Sequence, residues 1–303
     1  MIKKSVFFVG ATLLAALGVG CTKERGPVGS EANPIKFFFL PSVDAKMLSD
    51  KAALVKTYLE TNTPYKYSVA VPSSYVAVVE AFGTKRADVA AINTFGYLLA
   101  HARYGVESRL TVVRFGEETY KAQILTKTAG PIKTLEDLAG KKVAYVDPSS
   151  TSGYLMPAQL FKSKGIKLGE TVFAKKHDNV VTMIYQGSVD AGATFYSPPA
   201  EGKIQDARRL VKTQFPDVEE KIKILALTDS IPNDPIAFRK ELPEEIKTAI
   251  VNALMNFVKT QEGKDTFYAL YGVTDLKLST DSTYDGVRTL LSSLGMTADS
   301  LVK

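Results

Sequence analysis

A single cysteine, Cys21, excludes any disulfide within the chain. With only two histidines, His101 and His177, there is no Cys/His set of the kind that holds zinc. Neither Gly-x-Ser-x-Gly nor Gly-x-x-x-x-Gly-Lys occurs, so an α/β-hydrolase elbow and a P-loop are both missing. Tryptophan is absent, and the longest apolar run is the one at residues 5–20. The basic residues are dispersed among acids, as in residues 217–223, and form no compact patch. Nucleic acid is therefore not expected as a partner. What remains is ordinary globular composition, 45% hydrophobic and 23% charged, in 303 residues with a formal charge of +6. That length supports one large core or two smaller ones.

Lys3 and Lys4 precede the apolar run of residues 5–20, which is short for a bilayer span and reads as an export signal covering residues 1–20. Cys21 follows it directly and resembles the lipid acceptor of a bacterial lipoprotein. The alternative is cleavage elsewhere, with Cys21 left as a free thiol. Leu17 stands one place further back than the usual lipoprotein pattern has it. Residues 21–33 are rich in Gly, Ser, Pro and charge and read as a flexible tether.

Beyond residue 33, short apolar strands alternate with helical spacings. Ile35, Phe37, Phe38 and Phe39 suit a buried strand, and Leu48, Ala52, Val55 and Leu59 recur at helical spacing. Strands are expected at residues 65–71, 87–92, 110–115 and 120–127, and helices at 75–82 and 96–104. A further helix begins at Pro243, with Ile246, Ile250, Leu254 and Phe257 on one face. The fold class is α/β, with helices on both faces of each sheet. Residues 78–94 and 181–195 echo each other as helix, glycine turn and Asp-led strand, which suggests two lobes.

The most informative stretch is Tyr145-Val-Asp-Pro-Ser-Ser-Thr-Ser-Gly153. A strand at residues 142–146 runs into a cluster of hydroxyls and then into a helical segment. This order aims backbone N–H groups, hydroxyls and a helix dipole at one place, where a small oxyanion can be held without lysine or arginine. An ordinary N-cap needs only one such hydroxyl. Pro157 is best tolerated in a first turn, so the regular helix is expected to start after the hydroxyls.

These residues, with Lys176-His-Asp178, Gly187-Ser-Val-Asp-Ala-Gly-Ala-Thr194 and Ser230-Ile-Pro-Asn-Asp-Pro235, resemble the substrate-binding lipoproteins of phosphate/phosphite/phosphonate ABC transporters. The resemblance covers nearly all of the chain after Asn33. It implies a two-lobed, type II periplasmic-binding-protein-like fold, each lobe a mixed sheet flanked by helices. Lobe one would comprise residues 34–124 and 228–303, and lobe two residues 125–227, with crossings near 123–127 and 225–229. It also implies ligand-binding roles for Ser150, Thr151, Ser152, His177, Tyr75, Thr94, Phe95 and Tyr196. Read on their own, His177 is equally a helix-start residue beside Asp178, and Tyr75 an interior packing residue.

Thr94-Phe95 stands where family members often carry a small polar pair, which narrows the site or makes it more apolar, and Phe195-Tyr196 stands where relatives that bind aminophosphonates place a carboxylate, which disfavours 2-aminoethylphosphonate. The implied protein is a monomeric, lipid-anchored, extracytoplasmic solute-binding component, not an enzyme, that needs no cofactor. It would capture a small anion and deliver it to a permease and its ATPase. The alternatives are the same fold holding another small metabolite, or sensing a ligand for a signalling partner.

Overall fold

The computed structural model describes residues 26–293. The expected export signal and Cys21 lie outside the described residues, and no helix among those residues is long and apolar enough to cross a membrane. Residues 26–33, read from sequence as the end of a tether, are tied to the body of the protein. Lys66 N–H donates to the Gly29 carbonyl at 2.8 Å, and Asn33 Nδ2 to the Gly26 carbonyl at 3.0 Å. Gly29 holds φ +89° against the Tyr65 ring, a conformation that favours glycine.

The first sheet begins with β1 (Ile35–Phe39), α1 (Ala45–Asn62), β2 (Tyr67–Ala70), α2 (Tyr75–Gly83), β3 (Val89–Ala91), α3 (Thr94–Tyr104) and β4 (Glu107–Val113). The chain then passes to the second sheet, which holds β5 (Thr119–Lys127), β6 (Val143–Tyr145), α4 (Met156–Ser163), β7 (Thr171–Phe173), α5 (His177–Gln186), β8 (Ala191–Tyr196), α6 (Val218–Lys221) and β9 (Ile222–Pro232). It returns through β10 (Pro235–Phe238), α7 (Glu244–Phe257), α8 (Gln261–Tyr271), β11 (Asp275–Leu278) and α9 (Asp285–Ser293). The strand orders are β11-β4-β10-β3-β1-β2 and β7-β6-β8-β5-β9. The two orders correspond: β1 lies between parallel β2 and β3, as β6 lies between parallel β7 and β8. The sequence echo falls on this correspondence, α2–β3 in one sheet and α5–β8 in the other.

The apolar spacings explain the elements. α1 starts where Asp44 accepts from Met47 N–H at 2.8 Å, and it buries Leu48, Ala52, Val55 and Leu59, the four residues its periodicity singles out. Truncating any of the larger ones to alanine costs about 2–5 kcal/mol, because close-packed neighbours collapse only partly into the gap. α7 buries Ile246, Ile250, Leu254 and Phe257 behind Pro243. One core fills the six-stranded lobe, a smaller one the five-stranded lobe, and a third runs between them through Leu40, Tyr75, Phe95, Val146, Leu155 and Val180.

The crossings expected at residues 123–127 and 225–229 fall inside β5 and β9, which belong along their whole length to the second sheet. The chain changes sheets at residues 114–118 and 232–235 instead. These two segments bond each other. Asn233 N–H donates to the Glu118 carbonyl at 2.9 Å and its Nδ2 to the Glu117 carbonyl at 2.8 Å. Arg114 fastens the pair from the first crossing, donating to Asn233 Oδ1 and Asp234 Oδ2, each at 2.8 Å.

Candidate functional site

Strand β6 ends at Tyr145, and the chain turns under Asp147. Its carboxylate accepts from Ser149 N–H at 2.8 Å, and its carbonyl from Ser150 N–H at 2.9 Å. Ser150 then caps the following helix, accepting at Oγ from Gly153 N–H at 3.1 Å. Residues Thr151–Leu155 form a wide turn in which Leu155 N–H reaches back five residues to the Ser150 carbonyl. Regular α4 starts only at Met156, with Pro157 in its first turn, as the proline requires. Gly153 is obligatory for a different reason. A Cβ there would sit 2.4 Å from Val146 Cγ2, so the turn packs against β6 only without a side chain. The first-turn N–H groups of Thr151 and Ser152 have no intrahelical acceptor by geometry. Part of the expected amide array is thus used to hold the turn together, leaving these two amides and the hydroxyls.

All of Ser149, Ser150, Thr151 and Ser152 are buried. Three of them, Ser150 to Ser152, line a cavity between the lobes with about 60 Å³ of space for the centres of water-sized spheres. Tyr75 and His177 line it too. The Tyr75 hydroxyl and His177 Nδ1 are buried without a hydrogen-bond partner. Orphaned buried polar atoms are costly, and ones that face a cavity mark where a ligand's polar atoms would go. Burial and the charge of Asp147 hold the Tyr75 phenol well above its ordinary pKa, so it is a neutral donor. Burial, reinforced by Arg114, pushes His177 down to about 3. At neutral pH it is therefore an uncharged imidazole, its ring edge-on to Phe195 at 5.0 Å.

The other expected site residues lie apart from this lining. Thr94 turns its hydroxyl to the Pro232 carbonyl at 2.8 Å, so it fixes the second crossing. Phe95 is core, and its contribution is its backbone N–H, which donates to Thr151 Oγ1 at 3.0 Å. Tyr196 gives way to its neighbour Phe195. Successive side chains in β8 point to opposite faces, so a one-residue difference decides which aromatic faces the cavity.

Several further lining residues complete the wall. Asn93 donates to Thr151 Oγ1 at 3.0 Å and to the Ser149 carbonyl at 2.8 Å, bridging the lobes. Tyr120, buried, and Tyr271, half-buried, both phenols with raised pKa, close the wall beside Arg114, Arg209 and Asp234. Two guanidinium groups thus line a site expected to hold only neutral donors. Arg114 sits at the end of a strand and Arg209 in an Ala-Arg-Arg-Leu segment, and neither place announces a ligand. Chemically, the cavity offers hydroxyl, phenol, imidazole and guanidinium donors, which suits a compact anion.

Comparison with known proteins agrees with this chemistry. Residues 37–284 match the family described as "ABC transporter, phosphonate, periplasmic substrate-binding protein". The "Phosphonates-binding periplasmic protein" of Escherichia coli is 27% identical over 218 residues, 68% of this chain and 61% of that protein. The "Phosphate-import protein PhnD" of Mycolicibacterium smegmatis is 31% identical over 204 residues, 61% of this chain and 63% of that protein. The chain therefore matches less than two thirds of the length of either curated relative. Among solved structures, PhnD1 of Prochlorococcus marinus in complex with methylphosphonate aligns with TM-score 0.73 and 15% identity, covering 86% of this chain and 98% of that one. This likeness establishes the two-lobed type II fold.

Proposed function

The chain belongs to the periplasmic substrate-binding family of phosphonate ABC transporters, and from that premise we propose that it captures a small phosphonate- or phosphate-like oxyanion between its two lobes for import. The observation that carries the proposal is the buried turn Ser150-Thr151-Ser152 on a cavity that Tyr75 and His177 also line, the Tyr75 hydroxyl and His177 Nδ1 being buried without a partner. A tetrahedral oxyanion accepts from several directions at once, and preset neutral donors bind it without the desolvation cost of a fresh charge. The names of the relatives, one phosphonate-binding and one phosphate-importing, support the same ligand chemistry.

Ser150, Ser152, Tyr75 and His177 are the donors in this reading. Thr151 holds the lobes together in the closed form, with Thr94 and the Phe95 backbone as its supports. The ligand favours closure because it bonds donors that meet only there. A permease and its ATPase receive the closed complex. The chain performs no chemistry on its cargo, acts as a monomer, and is anchored outside the cytoplasm through a lipid on Cys21. Calorimetric titration with methylphosphonate, phosphite, phosphate and sulfate tests the reading. Saturable one-to-one binding of a phosphorus oxyanion supports it, and no heat from any of the four at millimolar concentration overturns it. Mass spectrometry of the mature protein reads the Cys21 modification.

A further inference from the structure

Arg209 faces the same cavity as the hydroxyl turn but is not used by the fold. Among the described residues its guanidinium has no acceptor, and its Nε is buried without a partner. The neighbouring acids are already engaged. Asp206 accepts from Arg208 through both oxygens and from Gln123 at Oδ1, while Asp234 accepts from Arg114 at Oδ2 and from Thr94 at Oδ1. Arg209 lies over the face of Tyr268, 5.1 Å from ring centroid to guanidinium carbon. Burial, then the like charge of Arg114, lowers its pKa against the opposing pull of Tyr268 and of the already engaged Asp206. The rest of the wall adds no charge to offset it. Arg114 and Asp234 neutralise each other at 2.8 Å, and His177 is uncharged at neutral pH. The lining therefore carries one uncompensated positive charge.

We propose that Arg209 is the charge-selecting residue of this site, making the cavity prefer a compact dianion, phosphonate or phosphate, over a monoanion of the same shape and over an aminoalkyl zwitterion. The proposal rests on the oxyanion reading above and adds to it the basis of selection. Neutral donors recognise shape and do little to separate a phosphonate from an isosteric sulfonate, since both present three oxygens. A half-buried guanidinium without an acceptor separates them by charge. An ammonium tail would meet Arg209 and Arg114, with no acid left free to pair it.

The test compares methylphosphonate with methanesulfonate, nearly identical in shape and one charge apart, by calorimetry above the second ionisation of the phosphonate. The wild type is expected to favour methylphosphonate by at least about 30-fold, and Arg209→Gln to bring that ratio within about threefold by weakening the phosphonate alone. Arg209→Lys should restore most of the preference. The ligand-free melting temperature of Arg209→Gln should stay level or rise, because an unpaired, half-buried charge has been removed. A merely structural arginine would instead lower the melting temperature and weaken both ligands together. Equal affinity of the wild type for both ligands, or an unmoved ratio in Arg209→Gln, overturns the proposal while leaving the oxyanion reading intact. A wild type that binds neither ligand nor phosphate overturns both.

Discussion

The hydroxyl oxygen of Thr151 lies 3.0 Å from the backbone nitrogen of Phe95. It also accepts from Asn93 Nδ2 at 3.0 Å, so two donors of the six-stranded lobe converge on one acceptor of the five-stranded lobe. All three residues are buried. Thr151→Val keeps the shape and removes the acceptor, stranding both donors. Closure is expected to weaken by about 2–4 kcal/mol, the cost of two buried unsatisfied groups, and ligand affinity to fall about 30- to 1,000-fold. Calorimetry reads the affinity, and small-angle scattering with ligand reads the loss of the compact form.

Gly153 tests the turn itself. A Cβ at this position would stand 2.4 Å from Val146 Cγ2 and 2.8 Å from Ser150 Oγ. Gly153→Ala is expected to destabilise the fold by about 1–3 kcal/mol through overpacking, and Val146→Ala in the same chain to recover part of that loss. Urea melts of the two single variants and the double variant measure both terms.

His177 gives the fold an acid sensitivity. Its folded pKa, about 3, lies below its ordinary value of 6.5, because burial and then Arg114 oppose the charged ring. Between those two pH values the unfolded chain takes up a proton that the folded chain refuses. Stability is therefore full above pH 6.5 and falls as the pH drops towards about 3. The whole window is worth up to about 5 kcal/mol. His177→Gln should flatten this part of the stability profile, read by urea midpoints at pH 7, 6, 5 and 4.

Arg114 and Asp234 sit one on each crossing between the sheets. Their pairing at 2.8 Å, with Arg114 donating also to Asn233 Oδ1 and the Tyr271 carbonyl, ties the two connections at the point where the lobes pivot. Arg114→Met leaves Asp234 without its cation. The expected cost is about 2–4 kcal/mol, below the full range for a buried pair because Asp234 is 24% exposed. Thermal melts check the stability, and hydrogen exchange at residues 114–118 and 232–235 checks that the loss is local to the crossings.

Most of the fold was legible from periodicity. Leu48, Ala52, Val55 and Leu59 define α1 because a helix buries one stripe, and Ile246 to Phe257 define α7 by the same rule. The crossings were misplaced because β5 and β9 are continuously apolar or alternating through residues 123–127 and 225–229, and nothing local marks a change of sheet. What marks it is Asn233, whose buried amide answers to Glu117 and Arg114, partners more than a hundred residues away. In the site, the hydroxyl cluster was visible because five small residues in a row exceed any capping need. Arg114 and Arg209 were not, since each reaches the cavity only through tertiary packing. Thr94 and Tyr196 were expected in the lining from resemblance. The fold uses one to secure a crossing and turns the other away by strand alternation.

The most direct test of the account is a crystal soaked in arsenate, a phosphate-shaped anion visible by anomalous scattering. The expected result is one strong peak between the lobes within hydrogen-bonding distance of the Ser150 and Ser152 hydroxyls and the Tyr75 phenol. Peaks confined to the outer surface, with the crevice between Ser150, Ser152 and Tyr75 empty under saturating arsenate, would contradict it.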